Sequence, residues 1–182
     1  MSFDVFISHC AGDRAVAEAA CDAIERDGHL CWLAARDARS GEEPAAASFA
    51  AIAASKVFLL ILSGESADST QILRETERAR AAGLGIVPLR IAPVDPGARL
   101  HYHLGDAVML EAVQPPLADH LGHLVAIVGR MLEGGDGAPL RPLTQPPQPR
   151  SRRPTPAWLP IAIAGLVGLL AIAVVAALAV RR

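Results

Sequence analysis

Short apolar runs alternate with amphipathic segments along residues 1–133. Buried parallel strands are typically continuous apolar runs that end at polar or turn residues. On this pattern we predict strands at Phe3–Ser8, Leu30–Leu33, Val57–Leu62, Ile86–Ile91 and Val108–Leu110. Helical periodicity and end signals predict helices after Asp13, at Ala45–Ala54, from Ser66, Asp68 or Ser69 to Ala82, and at Leu117–Glu133. The alternation predicts an α/β domain in which helices flank both faces of a parallel sheet.

The loops after the strands are where we expect functional residues. In open parallel sheets, ligands bind beyond the carboxyl ends of the strands, at the point where the strand order reverses. The loops after the first three predicted strands are Ser8–Asp13, Ala34–Pro44 and Ser63–Ser69. Asp13 is also expected to cap the first helix with its side chain. The Ala34–Pro44 loop is long and charged, and long ordered loops are often functional.

The C-terminal part of the chain has a different composition. Residues 134–157 are rich in glycine, proline and arginine, which is typical of a linker. Residues 158–180 then form an uninterrupted apolar run that begins with Trp158. As a helix this run is roughly 35 Å long, which exceeds the hydrocarbon core of about 30 Å. The sequence therefore predicts three parts: a domain at 1–133, a linker at 134–157 and a transmembrane helix at 158–180.

Charge suggests the orientation of this predicted anchor and excludes one class of partner. Arginines precede the apolar run, at 141, 150, 152 and 153, and two follow it, at 181 and 182. The positive-inside rule therefore favours an N-terminal domain in the cytoplasm, and the apolar run at Phe3–Ile7 is too short for a signal peptide. All the acidic residues lie before residue 150, so the domain is net negative. An acidic domain is a poor binder of nucleic acid.

Cysteine and histidine spacing predicts no metal centre. Cys10, Cys21 and Cys31 are odd in number and have no CxxC spacing, which fits reduced thiols better than a disulfide framework. The pairs His9–Cys10 and His29–Cys31 each lack the second pair that a zinc site needs. The chain also contains no P-loop and no glycine-rich dinucleotide motif.

Four segments of the domain resemble one known family. They are FDVFISHCAGD (3–13), GHLCWLAARDARSGEE (28–43), SKVFLLILSGESADS (55–69) and QILRETERARAAGLGIVPLRI (71–91). In this order and at these spacings they resemble the Toll/interleukin-1 receptor (TIR) domain, particularly its bacterial members. The second segment resembles the second strand and the so-called BB loop of that family. The resemblance covers roughly residues 1–133.

The resemblance implies a flavodoxin-like fold with five strands, self-association, and cleavage of NAD⁺ at the nicotinamide–ribose bond. NAD⁺ is then the substrate, and no cofactor is implied. The catalytic glutamate of the active family members falls on Glu75. Two positions depart from the family pattern: Gln71 stands where active members often have Trp, and Met109 replaces an aromatic residue near the fifth strand.

The candidate site combines residues from three loops. Ser8 and His9 follow the first strand, Trp32 lies at the end of the second, and Ser69 precedes the helix that carries Glu75. An aromatic ring at Trp32 is suited to stacking on nicotinamide or adenine, although such a residue at a strand end also serves packing. The candidate assembly residues of the predicted BB loop are Arg36, Asp37, Gly41 and Glu42.

Alternatives remain open at this point. Glu75 on a helix can be a solvated residue paired with Arg78, and Glu77 offers an equivalent carboxylate. At the level of function, the main alternative to an NAD⁺ hydrolase is a non-catalytic adaptor that recruits other TIR domains to the membrane. Gln71 in place of Trp favours that adaptor. A third alternative is a flavodoxin-like nucleotide binder unrelated to the TIR family.

Overall fold

The domain is built on a five-stranded parallel sheet in the computed structural model, which describes residues 2–38, 41 and 43–134. The strands are β1 (Val5–Ser8), β2 (Cys31–Leu33), β3 (Val57–Leu62), β4 (Gly85–Arg90) and β5 (Leu110–Glu111). Their order across the sheet is β2-β1-β3-β4-β5. Every residue of β1, β2 and β3 is buried, as expected for a sheet covered on both faces, and this includes β2 at the edge of the sheet. The predicted α/β fold with five parallel strands is confirmed.

Seven helices connect or follow the strands within the described residues. They are α1 (Arg14–Arg26), α2 (Ala34–Asp37), α3 (Pro44–Ala53), α4 (Gly64–Ala67), α5 (Thr70–Ala81), α6 (Ala98–Leu104) and α7 (Leu117–Glu133). A 3₁₀ turn at Ala11–Asp13 precedes α1. Gly28, at φ 96°, ends the turn after α1 in a left-handed conformation that favours glycine.

Two hydrophobic cores lie on the two faces of the sheet. One core packs Ala20 and Ile24 of α1 and Leu124 of α7 against alternate strand residues. The other core contains an aromatic stack formed by neighbouring strands in register, with Phe6 paired with Trp32 and with Phe58. The ring centroids lie 4.8 Å apart for Phe6–Trp32 and 5.5 Å apart for Phe6–Phe58. Such offset stacks stabilise the sheet by more than the burial of their surface area alone would.

Three elements differ from the sequence-based expectation. Of the three predicted starts of the helix that runs to Ala82, the structure selects Ser69, which is the N-cap of α5, and the short helix α4 before it, capped by Ser63, was not predicted. The segment predicted as the Ala34–Pro44 loop begins with the helical turn α2. The α6 helix was not predicted, since it buries only Leu100 and Leu104 and gives a weak periodic signal.

The C-terminal predictions concern residues outside the described part. The α7 helix ends at Glu133, and Gly134 is its C-cap. Within the part of the chain that the structure describes, no helix is both long and apolar enough to cross a membrane. The predicted transmembrane helix at 158–180 and residues 135–157 of the predicted linker lie beyond that part.

Candidate functional site

The candidate site lies at the point where the strand order reverses. From β1 the chain passes outward to β2 on one side and then returns to β3 on the other. The carboxyl ends of β1 and β3 are therefore neighbours, with Ser8 paired with Leu60 in the parallel register. The loops after these two strands diverge into opposite helical layers, and the space between them is the usual ligand crevice of such sheets.

Glu75 is buried at this point, and its carboxylate has two donors. The glutamate lies in the middle of α5 and is 4% exposed. Ser8 Oγ, at the end of β1, donates a hydrogen bond of 2.6 Å to Glu75 Oε2. Gln71 Nε2, one helical turn before the glutamate, donates a hydrogen bond of 2.9 Å to Glu75 Oε1. Two neutral groups from two separate elements therefore hold the carboxylate in one orientation.

The alternative of a solvated Glu75 paired with Arg78 is wrong. Among the described residues, no lysine, arginine or histidine forms an ion pair with Glu75. The Arg78 guanidinium instead lies over the Phe49 ring, 5.8 Å from its centroid. Glu77 is half-buried, and its Oε1 atom lies 3.2 Å from His103 Nε2. The two glutamates are thus distinct: one is buried at the strand ends, and the other forms a surface pair.

Ser69 determines where the helix that carries Glu75 begins. Its side chain is the N-cap of α5 and accepts a hydrogen bond of 3.3 Å from the Ile72 backbone N–H. Ile72, Thr76 and Ala79 bury the same side of the helix as Glu75. Because the cap fixes the first turn of α5 and the apolar face fixes its rotation, the glutamate is directed at the end of β1.

A second buried polar pair lies beside this site. Asp13 occupies the N-cap position of α1, but its side chain makes no capping hydrogen bond, so the predicted capping role is wrong. Its carboxylate instead accepts a hydrogen bond of 2.6 Å from Ser63 Oγ, at the end of β3. Ser63 in turn accepts from the Ser66 backbone N–H and forms a capping box at the start of α4. The Asp13–Ser63 bond ties together the loops that follow β1 and β3.

The crevice side of these loops carries negative charge. Burial raises the pKa of the Cys10 thiol, and the nearby carboxylates of Asp13, Glu65 and Glu75 raise it further. Ser69, the N-cap of α5, acts in the opposite direction and lowers the pKa of this thiol. Three carboxylates around one partly buried thiol create a region that favours a cationic group.

The other predicted site residues have different positions. His9 is half-buried directly after Ser8. Trp32 is 5% exposed and stacks on Phe6 with an interplanar angle of 12°, so its described contacts are those of a packing residue. The structure thus brings Ser8 into contact with the candidate glutamate, places Ser69 at the start of the helix that carries it, and places Trp32 in the core.

Two of the residues predicted for assembly have hydrogen-bond partners within the domain, and a third is exposed. Arg36 and Asp37 lie in α2, where Asp37 Oδ2 accepts a hydrogen bond of 2.8 Å from the Leu33 N–H. Gly41 is exposed at φ 89°, and Glu42 lies outside the described residues. The sequence analysis missed the role of Glu43, whose side chain caps α3 by accepting from the N–H groups of residues 45 and 46. An acidic residue directly before Pro44 is a signal for that cap.

Comparison with known protein families shows which family this domain belongs to. The family model described as "TIR domain" matches residues 5–119, which is more than half of the chain. The chain belongs to the TIR domain family. A comparison with curated protein sequences gives no significant match.

Solved TIR structures share this fold. The TIR domain of the Toll-related receptor TRR-2 from Hydra magnipapillata is 18% identical with a TM-score of 0.59, over 70% of this chain and 99% of that one. The TIR domains of the activated Roq1 resistosome, which recognises the pathogen effector XopQ, are 16% identical with a TM-score of 0.59 over the same shares. A TIR-STING receptor from C. gigas, solved with 2',3'-cGAMP, is 22% identical with a TM-score of 0.54. This match covers 69% of the present chain and 39% of the longer receptor.

Proposed function

We propose that this protein is a membrane-anchored TIR-domain protein of signalling or defence that hydrolyses NAD⁺ when it self-associates. The products are nicotinamide and ADP-ribose, in a linear or cyclic form. The observation that carries the proposal is the buried Glu75 carboxylate at the strand-order reversal, held by Ser8 at 2.6 Å and Gln71 at 2.9 Å. Glu75 is also the position on which the catalytic glutamate of active TIR enzymes falls.

A single held carboxylate is suited to this reaction. Nicotinamide leaves as a neutral molecule, so the leaving atom needs no general acid, in contrast to ordinary glycoside hydrolysis with its paired carboxyl groups. The positive charge that develops on the ribose is stabilised by a fixed negative charge nearby. A carboxylate has about four acceptor sites, and Ser8 and Gln71 use two of them. The remaining sites can accept hydrogen bonds from the ribose hydroxyls.

The charge of the crevice matches the reacting end of the substrate. The nicotinamide ring of NAD⁺ is cationic before its bond to ribose breaks. Asp13, Glu65 and Glu75 all act on the Cys10 thiol as nearby negative charges, so the same region attracts that ring. His9 and Ser69 border the region and are the remaining substrate-contact residues of the proposal, whereas Trp32 supports the sheet beneath it.

Membrane attachment supplies the proposed means of activation. The predicted helix at 158–180 would place the TIR domain on the cytoplasmic side of a membrane. Confinement to a surface raises the effective concentration, so a weak contact between domains can produce assembly. The exposed Gly41 and its neighbour Glu42 are the proposed contact residues, since the side chains of Arg36 and Asp37 already have partners within the domain.

The test compares two neighbouring glutamates in the full chain reconstituted on lipid vesicles at equal surface density. Glu75→Gln keeps the shape of the side chain and removes its charge, and we expect it to lower nicotinamide release by about 10²-fold or more. Glu77→Gln is the matched control, because Glu77 lies two residues away on the same helix and pairs with His103 at the surface. Release should stay within about twofold of wild type in that control. Equal activity of the two variants contradicts the proposal.

The second candidate function is a non-catalytic adaptor for other TIR domains, and one observation favours it. Both oxygens of the buried Glu75 carboxylate already have donors within the chain, as in a purely structural polar network. An adaptor would retain partner recruitment in Glu75→Gln and lose it on substitutions at Gly41 and Glu42. The folded, membrane-bound wild-type chain would then release no nicotinamide at any surface density.

A further inference from the structure

A second cluster of reactive side chains lies where α1 packs against β2. Cys21 and Glu25 are four residues apart on α1 and therefore face the same side of the helix. Cys31 is the first residue of β2. The two Sγ atoms and a Glu25 carboxylate oxygen all lie within 4.8 Å of one another. Sequence spacing did not predict this cluster, since its members belong to two elements that only the fold brings together.

The donor set is that of a site for a thiophilic divalent cation. Cysteine sulfur and carboxylate oxygen are both zinc ligands, and three protein ligands with one open position is a common arrangement for that ion. Soft sulfur donors select zinc and similar ions over magnesium or calcium. Both cysteines are 2% exposed, whereas the Glu25 side chain is 32% exposed. The cluster thus has a buried sulfur end and an open carboxylate end.

A cationic side chain already occupies the open end. Arg36 Nη1 lies 3.5 Å from Cys21 Sγ and donates a hydrogen bond of 3.0 Å to Glu25 Oε2. Arg36 Nη2 donates a hydrogen bond of 2.7 Å to the Cys31 carbonyl oxygen. Because the guanidinium contacts the same sulfur and the same carboxylate that a metal ion would bind, the cluster is electrostatically suited to a cation and the two cations compete.

We propose that Cys21, Glu25 and Cys31 bind one thiophilic divalent cation of the zinc type, which displaces the Arg36 side chain. Water fills the fourth position. Displacement frees Arg36 from Glu25. This site is separate from Glu75, and its occupancy does not depend on NAD⁺ hydrolysis.

The test is a titration of the full chain with Cd²⁺ and Co²⁺ in a non-thiol reductant. We expect one ion per chain, with a thiolate-to-Cd²⁺ charge-transfer band in the ultraviolet and tetrahedral Co²⁺ bands in the visible, both removed by added Zn²⁺. Cys21→Ala and Cys31→Ala should each lose most of the band. Cys10→Ala is the matched control, because Cys10 lies in the β1 loop and not in the cluster, and it should keep the band.

Two further variants separate metal binding from folding, since Cys21 and Cys31 are core residues. Glu25→Gln changes a partly exposed side chain, keeps both sulfurs and should weaken Cd²⁺ binding about tenfold. Arg36→Gln removes the competing cation and should strengthen binding about tenfold, the effect of losing a charge-assisted hydrogen bond. Any of three results overturns the proposal. The reduced wild-type chain shows no band, or the band survives both cysteine substitutions. The third is that Arg36→Gln binds Cd²⁺ more weakly than wild type.

Discussion

Ser8 and Glu75 are separated by 67 positions in the sequence and joined by a buried hydrogen bond of 2.6 Å. The bond connects the last residue of β1 to the middle of α5. It crosses the point where the sheet reverses its strand order, so it ties the fold to the candidate site. The carboxylate has two donors, Ser8 and Gln71, and we expect the loss of each donor to have a different effect on stability.

Removal of the Ser8 hydroxyl should be costly to stability. Ser8→Ala leaves Oε2 of a carboxylate that is 4% exposed without its donor, and no water replaces it easily. We expect the free energy of unfolding to fall by about 1–3 kcal/mol, measured by urea denaturation. Ser2→Ala is the control, because the Ser2 hydroxyl bonds the Ala54 carbonyl at an exposed position. An equal effect of the two substitutions contradicts the account.

Removal of the Gln71 amide should matter less for stability. Gln71 is exposed, so in Gln71→Ala water can replace its hydrogen bond to Glu75 Oε1. The expected loss is about 0.5–1 kcal/mol, less than in Ser8→Ala. If Gln71 orients the carboxylate for NAD⁺, kcat should nevertheless fall while KM changes little. A stability loss as large as that of Ser8→Ala would show that the Gln71 bond is effectively buried.

Trp32 offers a direct choice between packing and substrate contact. Trp32→Ala opens a cavity in the aromatic stack with Phe6, and the free energy of unfolding should fall by about 3–5 kcal/mol. Trp32→Phe keeps a ring in the stack and should lose less than about 2 kcal/mol. The decisive measurement is the KM for NAD⁺ in Trp32→Phe. This KM stays at the wild-type value if Trp32 contacts only other core residues. A raised KM in a stable variant would assign it to the substrate.

The Asp13–Ser63 pair predicts a difference between two helix caps. Ser69→Ala removes the N-cap of α5 and should reduce stability by about 1 kcal/mol. Ser63→Ala removes the cap of α4 and also the donor to the Asp13 carboxylate, so we expect a loss of about 2–3 kcal/mol. Denaturation of both variants under identical conditions measures the difference. A loss in Ser63→Ala no greater than in Ser69→Ala would contradict the role of the buried bond.

Acid should weaken the domain partly through Glu25 and Asp4. The hydrogen bond from Arg36 lowers the pKa of Glu25 below its ordinary 4.5, and the one from Lys56 lowers that of Asp4 below 3.8. A carboxyl group with a lowered pKa in the folded state stabilises above its ordinary pKa, and this contribution is lost as the pH falls through the lowered value. As the pH falls from about 7 to about 3, urea midpoints should therefore decline less steeply in Glu25→Gln than in wild type. An unchanged pH profile in Glu25→Gln would contradict the contribution of the Arg36 pair.

Elements with a strong local signal were predicted closely, and weaker ones were not. The Val57–Leu62 strand and the Leu117–Glu133 helix have the predicted bounds, because one is a continuous apolar run and the other a long amphipathic repeat. The start of α5 stayed open between Ser66, Asp68 and Ser69, and α4 with its Ser63 cap was missed, since serine and aspartate are all good caps and only the fold selects among them. The choice depends on Ser63 contacting Asp13, 50 residues away.

The choice of Glu75 as the candidate site residue rests on the family resemblance, and its buried environment was not predicted. A glutamate flanked by arginines on a helix has the pattern of a solvated residue, and only the family resemblance singled out Glu75. Its burial arises from the packing of α5 against the end of β1, which no local pattern encodes. The same applies to Arg36, whose contacts with Cys21 and Glu25 depend on the docking of α1 on β2.

The most direct test of the central claim is the time course of nicotinamide release from NAD⁺ by the full chain on lipid vesicles, measured by chromatography beside Glu75→Gln. The account predicts release that rises more than in proportion to surface density for wild type, and release near background for Glu75→Gln at every density. A folded wild-type chain that releases no nicotinamide at the highest density, or Glu75→Gln that matches wild type, would contradict it.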